Sequence, residues 1–362
     1  MTIPPVAFYC VCDSRYFLGA VAMLNSLRLA GHTEPVYVLD CGLTDSQRDL
    51  LRTEATLVPA SRRALPWLLK TVAPLRHPAE VMALIDTDAI VIRPLTEVIE
   101  RVVGGGVAAF RASYDRFFPE WGELLGLGPV RRQPYLCSAL VLFGGELGGH
   151  ALSLLDEAQR RIPTPDGAAA FDDGAPGSHR RSSRRRAGPG SSAARREFFE
   201  NAPTAPFVTL DQDALNAVLS SHQVDAGRVI ALEHRLAPEP PFPELALIDT
   251  DTLHCAYSDG IEPYALHHLG PKPWIAPMRE NLYSRLLVRL LAGRDTALRV
   301  PTSVLPLRLR EGPLGGAGRT VAGVQDRLRS SVGEPLSWRI GSRLDAWAAA
   351  AKRGRDRSAK GP

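Results

Sequence analysis

The stretch Val81–Ile92, read as VMALIDTDAIVI, constrains this chain more than any other. It is an apolar, β-branched run broken by two carboxylates, Asp86 and Asp88, with only Thr87 between them. A run this short and hydrophobic reads as a strand buried on both faces of a parallel sheet. Two ionised aspartates are costly at the end of such a strand unless something cationic meets them. Side chains at i and i+2 of an extended segment point the same way, so both carboxylates could grip one divalent ion while Thr87 turns away. The plainer alternative, in which one aspartate caps a turn and the other faces water, stays open on this stretch alone.

The surrounding pattern supplies the fold class. Ala7–Cys12 reads as a first strand ending at Asp13, and Phe17, Leu18, Val21, Leu24 and Leu27 then mark one helical face. Pro35–Asp40 is a second strand, Thr44 caps a charged helix, and Thr56–Pro59 is a third strand. Strand and helix alternating at this pace predict a doubly wound α/β sheet, in which ligands sit beyond the carboxyl ends of the strands. Asp13 and the Asp86/Asp88 pair both fall at such ends. Further along, Ser61–Leu75 is expected to be helical and to carry Lys70, Ala89–Pro94 to continue extended, and Thr96–Val103 to be a short helix. Val107–Phe110 and Tyr135–Phe143 are expected strands, Gly148–Ile162 a helix, Val229–Leu232 a strand and Met278–Leu291 a helix.

With 362 residues, 45% of them hydrophobic and 23% charged, the chain can bury a large core. The expected organisation is one catalytic-sized domain over residues 1–293 and a basic amphipathic tail over 294–362. Within the domain, residues 163–206 are rich in Gly, Ser, Ala, Pro and Arg and hold too little apolar content to fold alone, so they read as a solvated insertion. Their arginines lack interleaved aromatics, which argues against nucleic acid as a partner. In the tail, Val321, Val324, Leu328 and Val332, then Leu336, Ile340, Leu344 and Trp347, recur at helical spacing among arginines. Such a helix suits an anionic membrane surface or its own domain. No apolar run approaches the length of a membrane span and no leader pattern is visible, so the expected location is cytoplasmic, with the tail as a peripheral contact on the inner face of the membrane. The five cysteines, Cys10, Cys12, Cys41, Cys137 and Cys255, lie in or beside apolar strands without CxxC spacing. They read as buried free thiols rather than disulfides or a zinc site.

Three segments carry chemistry. Asp86 and Asp88 offer hard oxygens, and His267 would add an imidazole that shifts preference from magnesium toward manganese. His268 is adjacent, and spacing does not say which ring points inward. Gly270 lets the backbone approach a phosphate and Lys272 offers it a point charge, whereas Trp274 reads as packing. In Asp211-Gln212-Asp213, Asp211 can cap a helix, with Asp213 adding favourable charge to its first turn.

The order of these pieces resembles the family 8 retaining glycosyltransferases, which have the GT-A fold and include bacterial lipopolysaccharide galactosyl- and glucosyltransferases. Cys12-Asp13-Ser14-Arg15-Tyr16 is similar to the family's nucleotide-binding start, and Val38–Thr44 to its second strand and turn. Ile85–Asp88 matches its DxD motif, Asp211–Asn216 its DQDxLN segment, and His267–Trp274 its HxxGxxKPW motif. The resemblance covers roughly Phe8 to Trp274. It implies a GT-A sheet, a UDP-hexose donor, Mn²⁺ or Mg²⁺, and a glycan, lipid-linked or small-molecule acceptor. By the same resemblance, Asp13 and Tyr16 would face the uracil, Asp86 the ribose and metal, and Asp88 and His267 the metal. Lys70 would lie against the donor, Asp211 would hold donor-sugar hydroxyls, Gln212 would lie near the anomeric carbon and Lys272 would neutralise the departing diphosphate. Two departures stand out. Cys137-Ser138-Ala139 replaces the family's Asn-x-Gly, whose asparagine contacts the donor sugar, and one residue is missing between Gly270 and Lys272.

Overall fold

The computed structural model describes residues 3–60, 64–162, 206–270, 272–276 and 278–332, with side chains placed as far as residue 326. Nearly all of the arginine-rich insertion and the tail beyond Val332, with its expected apolar stripe from Leu336 onward, therefore lie outside the described residues.

β1 (Val6–Cys12) leads into α1 (Phe17–Leu29), then β2 (Val36–Asp40), α2 (Asp45–Leu51) and β3 (Thr56–Pro59). Thr44 caps α2 through a reciprocal box with Gln47. The helix expected over Ser61–Leu75 is instead a 3-10 turn, Pro66–Leu69, followed by α3 (Val72–Arg76), with Lys70 at the break. Pro74 has no N–H to give to the carbonyl four residues back, so one continuous helix cannot run through Lys70.

β4 (Val81–Ile85) and β5 (Ala89–Val91) replace the single strand expected over Val81–Ile92. The chain turns at Asp86–Asp88, with the Ala89 amide donating to the Asp86 carbonyl at 3.0 Å. β4 stays in the main sheet, while β5 leaves it to pair antiparallel with β11 (Ala265–His267). The two carboxylates thus converge through a turn rather than through strand alternation, and Thr87 is buried beneath them.

There follow α4 (Thr96–Val103), β6 (Gly106–Arg111), α5 (Trp121–Leu124), β7 (Leu136–Gly144), α6 (Gly145–Arg161), α7 (Leu210–Ser220) and β8 (Val229–Leu232). A hairpin of β9 (Leu245–Asp249) and β10 (His254–Tyr257) was not anticipated. α8 (Leu282–Ala292) begins at Asn281 in a capping box, later than the expected Met278. The main sheet runs β3-β2-β1-β4-β7-β6-β8. β7 is antiparallel to both its neighbours, and the other recorded pairings are parallel, which makes a doubly wound mixed α/β sheet. Alternate residues of β1 feed opposite faces. Phe8, Cys10 and Cys12 join the layer of α1, β5 and α8, while Ala7 and Tyr9 join that of α3, α6 and α7. All five cysteines are free.

Gly293 does not mark a break in packing. Leu298, Val300, Leu305 and Leu309 are buried in the same cluster as α1 and α8. Asn25 on α1 ties this segment down: its amide donates to the carbonyls of Leu290 and Leu298 at 2.8 and 2.9 Å and accepts from the Leu298 amide at 2.8 Å. α9 (Gly312–Val332) then lies across the segment on a glycine face. A Cβ on Gly315 would meet the Arg310 carbonyl, and one on Gly318 the backbone at Leu307 and Arg308. Val321 and Val324, expected on a buried or membrane-facing stripe, are about half exposed. No described helix is long and apolar enough to cross a membrane.

Asn25→Ala should lower the free energy of unfolding by about 1–3 kcal/mol for each buried backbone group it leaves unpaired. Urea titration monitored by tryptophan fluorescence reads this directly, and an unchanged midpoint would mean that residues past Gly293 are not part of the cooperative core.

Candidate active site

The reversed direction of β7 creates the site. β7 pairs with β4 through Ile85 opposite Leu140, and the Asp86 amide donates to the Ala139 carbonyl at 2.8 Å. The carboxyl end of β4 therefore meets the amino end of β7, placing Cys137 and Ser138 beside the Asp86–Asp88 turn. β11 approaches from the other side. His267 sits opposite Ala89, and the His268 amide donates to the Asp88 carbonyl at 3.1 Å. This register decides between the two histidines. His267 faces Asp88, with Nε2 to Oδ1 at 3.5 Å, while His268 packs against the Tyr283 ring.

α7 is held against β7 by Asn216, whose side chain accepts from the Leu136 amide and donates to the Leu136 carbonyl, each at 2.7 Å. That clasp sets the start of α7 over Ser138. The N-cap is Thr209, not Asp211. Asp211 instead accepts from Lys70 at 2.6 Å and from the Ser138 hydroxyl at 2.9 Å. Gln212 is fixed at both ends: its carbonyl oxygen accepts from the Ser138 amide at 3.2 Å and its amide donates to the Tyr114 hydroxyl at 3.0 Å. Asp213, expected to add favourable charge to the first turn, does lie there and is fully buried. It accepts from Arg116 at 2.9 Å, from Tyr135 at 2.7 Å and from the amides of Val208 and Thr209. The aspartate thus supports the start of α7 from below while Asp211 and Gln212 face the cleft.

Two charged groupings meet here. Lys70 Nζ bridges Asp86 and Asp211, 2.6 Å from each. Lys272 Nζ lies 2.5 Å from Asp88 Oδ2 and 2.7 Å from the His268 carbonyl, the chain folding back through Gly270 at φ +84°. Burial pushes the Asp86 carboxyl up; Lys70 opposes this and Asp88 adds to it, leaving its pKa at about 6. Asp88 has the opposite outcome. Burial raises it, but Lys272 and His267 together more than offset that and hold it well below the usual carboxylate range. Burial disfavours a charged His267, yet Asp88 outweighs it and draws the imidazole well above its ordinary value. Lys70 is likewise raised, Asp211 and Asp86 overcoming burial. Burial raises the Cys137 thiol.

Four carboxylates, Asp86, Asp88, Asp211 and Glu239, stand against two ammonium groups and one imidazole in this region. The surplus is negative, as a cation site requires. Asp86, Asp88 and His267 can each present one ligand atom within 4.8 Å of the others. Asp88 Oδ1 is buried and accepts no hydrogen bond among the described residues. An unsatisfied buried carboxylate oxygen is costly, and a divalent ion would satisfy it. The residues fit such an ion.

Asp13 and Tyr16 are placed at the end of the neighbouring strand β1. Asp13 Oδ1 is engaged by the amides of Arg15 and Tyr16, and Tyr16 meets Trp274 edge-on at 6.1 Å. Trp274 donates to the Arg15 carbonyl and lies against Gly19, where a Cβ would also strike the Thr87 carbonyl. This contact locks the His267–Trp274 segment, α1 and the Asp86–Asp88 turn together. Glu239, Ser138 and Tyr114 were not singled out in the sequence. Glu239 sits in a proline-rich loop with no periodicity, and the other two are ordinary strand or loop residues until β7 is seen to run backwards.

Removing Asp213 should be severe, because it takes away the buried acceptor shared by Arg116, Tyr135 and the amides of Val208 and Thr209. Asp213→Ala is expected to destabilise the fold by about 3–5 kcal/mol, measured by denaturant unfolding. A change below 1 kcal/mol would show that water replaces the carboxylate.

No protein-family model and no curated protein matches this chain. Among solved structures it is similar to the galactosyltransferase LgtC, in an active-site mutant form, at 15% identity over 82% of this chain and 98% of that one, with a TM-score of 0.47. It is also similar to the bifunctional glycosyltransferase WbbM, at 13% identity over 84% of this chain and 51% of that one, TM-score 0.46. A third is the glycosyltransferase GlyE of Streptococcus pneumoniae, at 14% identity over 75% and 56%, TM-score 0.43.

Proposed function

We propose that this protein is a metal-dependent, retaining glycosyltransferase that moves a hexose from a nucleotide sugar, UDP-linked, to an acceptor hydroxyl. The observation that carries the reading is the convergence of Asp86, Asp88 and His267 with Lys70, Asp211, Gln212 and Lys272 at one end of the sheet. All of these except Lys70 belong to the three motifs that resemble family 8 enzymes. Asp86, Asp88 and His267 would hold a manganese or magnesium ion, which supplies charge neutralisation to the diphosphate.

The chain's own residues account for the rest. Lys272, on a backbone that folds back toward the cluster, is placed to transfer its charge from Asp88 to the departing diphosphate. Lys70 and Ser138 hold the Asp211 carboxylate in a fixed orientation for sugar hydroxyls. Gln212 presents an immobilised amide dipole. An amide is a poor nucleophile, so the reading favours substitution on the face the phosphate leaves. There, the bond from the anomeric carbon to the phosphate oxygen breaks, the acceptor oxygen bonds to the same face, and its proton passes to the departing phosphate.

A second reading, a nucleotide-sugar-binding protein of this fold without turnover, is favoured by one observation. Cys137, at the position of the family's asparagine, turns toward His267 and Glu239. Release of free nucleotide from a panel of UDP-sugars in the presence of manganese separates the two. Hydrolysis of one donor, abolished by Asp88→Ala and by chelation and reduced about 10²–10³-fold by Lys272→Met, is the expected result. UDP binding without turnover of any donor, with an acceptor panel included, would establish the binding protein instead.

A further inference from the structure

His267 has two ring nitrogens, and the reading above uses only one. Nε2 faces Asp88, and Nδ1 faces a different pair of groups. Cys137 Sγ lies 3.6 Å from Nδ1, Glu239 Oε1 lies 3.5 Å from Nδ1, and Sγ and Oε1 are 3.6 Å apart. The three form a nearly equilateral triangle. Nitrogen, sulfur and oxygen atoms bound to one tetrahedral zinc at its usual bond lengths of about 2.0–2.3 Å stand about 3.3–3.6 Å from one another, so the triangle already has the dimensions of a face of such a site.

The elements that hold the triangle are firm. Cys137 is at the start of β7 and His267 is on β11, both buried. The His267 amide donates to the Pro238 carbonyl at 3.1 Å, which clamps the Glu239 loop beside β11. The second oxygen of Glu239 accepts from the Ser113 hydroxyl at 3.2 Å, which orients the first toward the triangle. A thiolate, an imidazole and a carboxylate make a softer donor set than Asp86 and Asp88 with an imidazole, and thiolate selects zinc-like ions over manganese or magnesium.

We propose that Cys137, Glu239 and His267 form a three-ligand site for a thiophilic divalent ion of the zinc class, its fourth position taken by water or a substrate oxygen. A neutral imidazole has one free lone pair, so His267 serves one ion at a time. Occupation of this site withdraws His267 from Asp86 and Asp88, and the two metals exclude each other. The site itself stands independently of the transferase reading; the exclusion rests on it.

The test uses the full-length protein stripped of metal by chelator, exchanged into chelator-free buffer and titrated with Co²⁺ alone. The expected result is one Co²⁺ per chain, with the visible absorption of a tetrahedral centre and a thiolate-to-cobalt charge-transfer band in the near ultraviolet. Cys137→Ser should lose that band, Glu239→Gln should weaken binding tenfold or more, and Asp88→Asn should keep the band. Prior loading with Zn²⁺ should abolish the band in the unmutated protein. Absence of the band in the unmutated protein overturns the proposal whatever the variants do. A band that survives Cys137→Ser, or a Glu239→Gln affinity equal to that of the unmutated protein, overturns it as well. If the cobalt site is found but no manganese binding is detected by electron paramagnetic resonance, the transferase reading fails and the thiolate site stands.

Discussion

The structure depends on one electrostatic problem, the burial of several carboxylates where three segments distant in sequence meet. Asp88 and Asp86 are each held by a lysine from elsewhere in the chain, Lys272 and Lys70, and Asp211 shares the second of these. Isolated charges in such a place are costly, and pairing offsets that cost only when the geometry is kept. The demand for geometry explains the scaffolding around the site. Asn216 clasps β7, Asp213 with Arg116 braces the start of α7, and Trp274 wedges against α1. None of these side chains need touch a substrate, yet each sets where a charged group lies.

The pairing is incomplete, and the imbalance has a direction. Carboxylates outnumber ammonium groups, one oxygen of Asp88 accepts no hydrogen bond among the described residues, and burial and repulsion push Asp86 up to about 6. A cation relieves all three conditions together. The same imidazole that faces Asp88 also faces a thiol and a glutamate, so His267 stands between a hard and a soft donor set. Cys137 supplies the thiol of the second set.

Much of the architecture is legible along the chain because it rests on local periodicity. The strands around Ala7–Cys12, Pro35–Asp40 and Thr56–Pro59 and the helices between them follow from alternation, capping residues and spacing of apolar positions. Where local rules were extended too far, a specific competitor won. The run Val81–Ile92 breaks because its second half finds a different partner, β11, off the main sheet. The helix through Lys70 breaks at a proline-imposed gap. Asp211 does not cap α7, because it lies one residue inside the helix and a lysine claims its carboxylate.

By itself the sequence determined most of the order of strands and helices and the doubly wound class, and it marked Asp86, Asp88, His267 and Lys272 as candidate ligands and charges. These are properties of residue type and short-range spacing. Only the tertiary structure decided which histidine faces the aspartates, that Lys70 joins Asp86 to Asp211, and that Glu239 and Cys137 meet His267. Lys70 and Asp211 are 141 positions apart and Cys137 and His267 are 130 apart, and their meeting rests on the antiparallel course of β7 and on the pairing of β5 with β11. Strand direction and register are set by which faces bury together, and no local pattern encodes that.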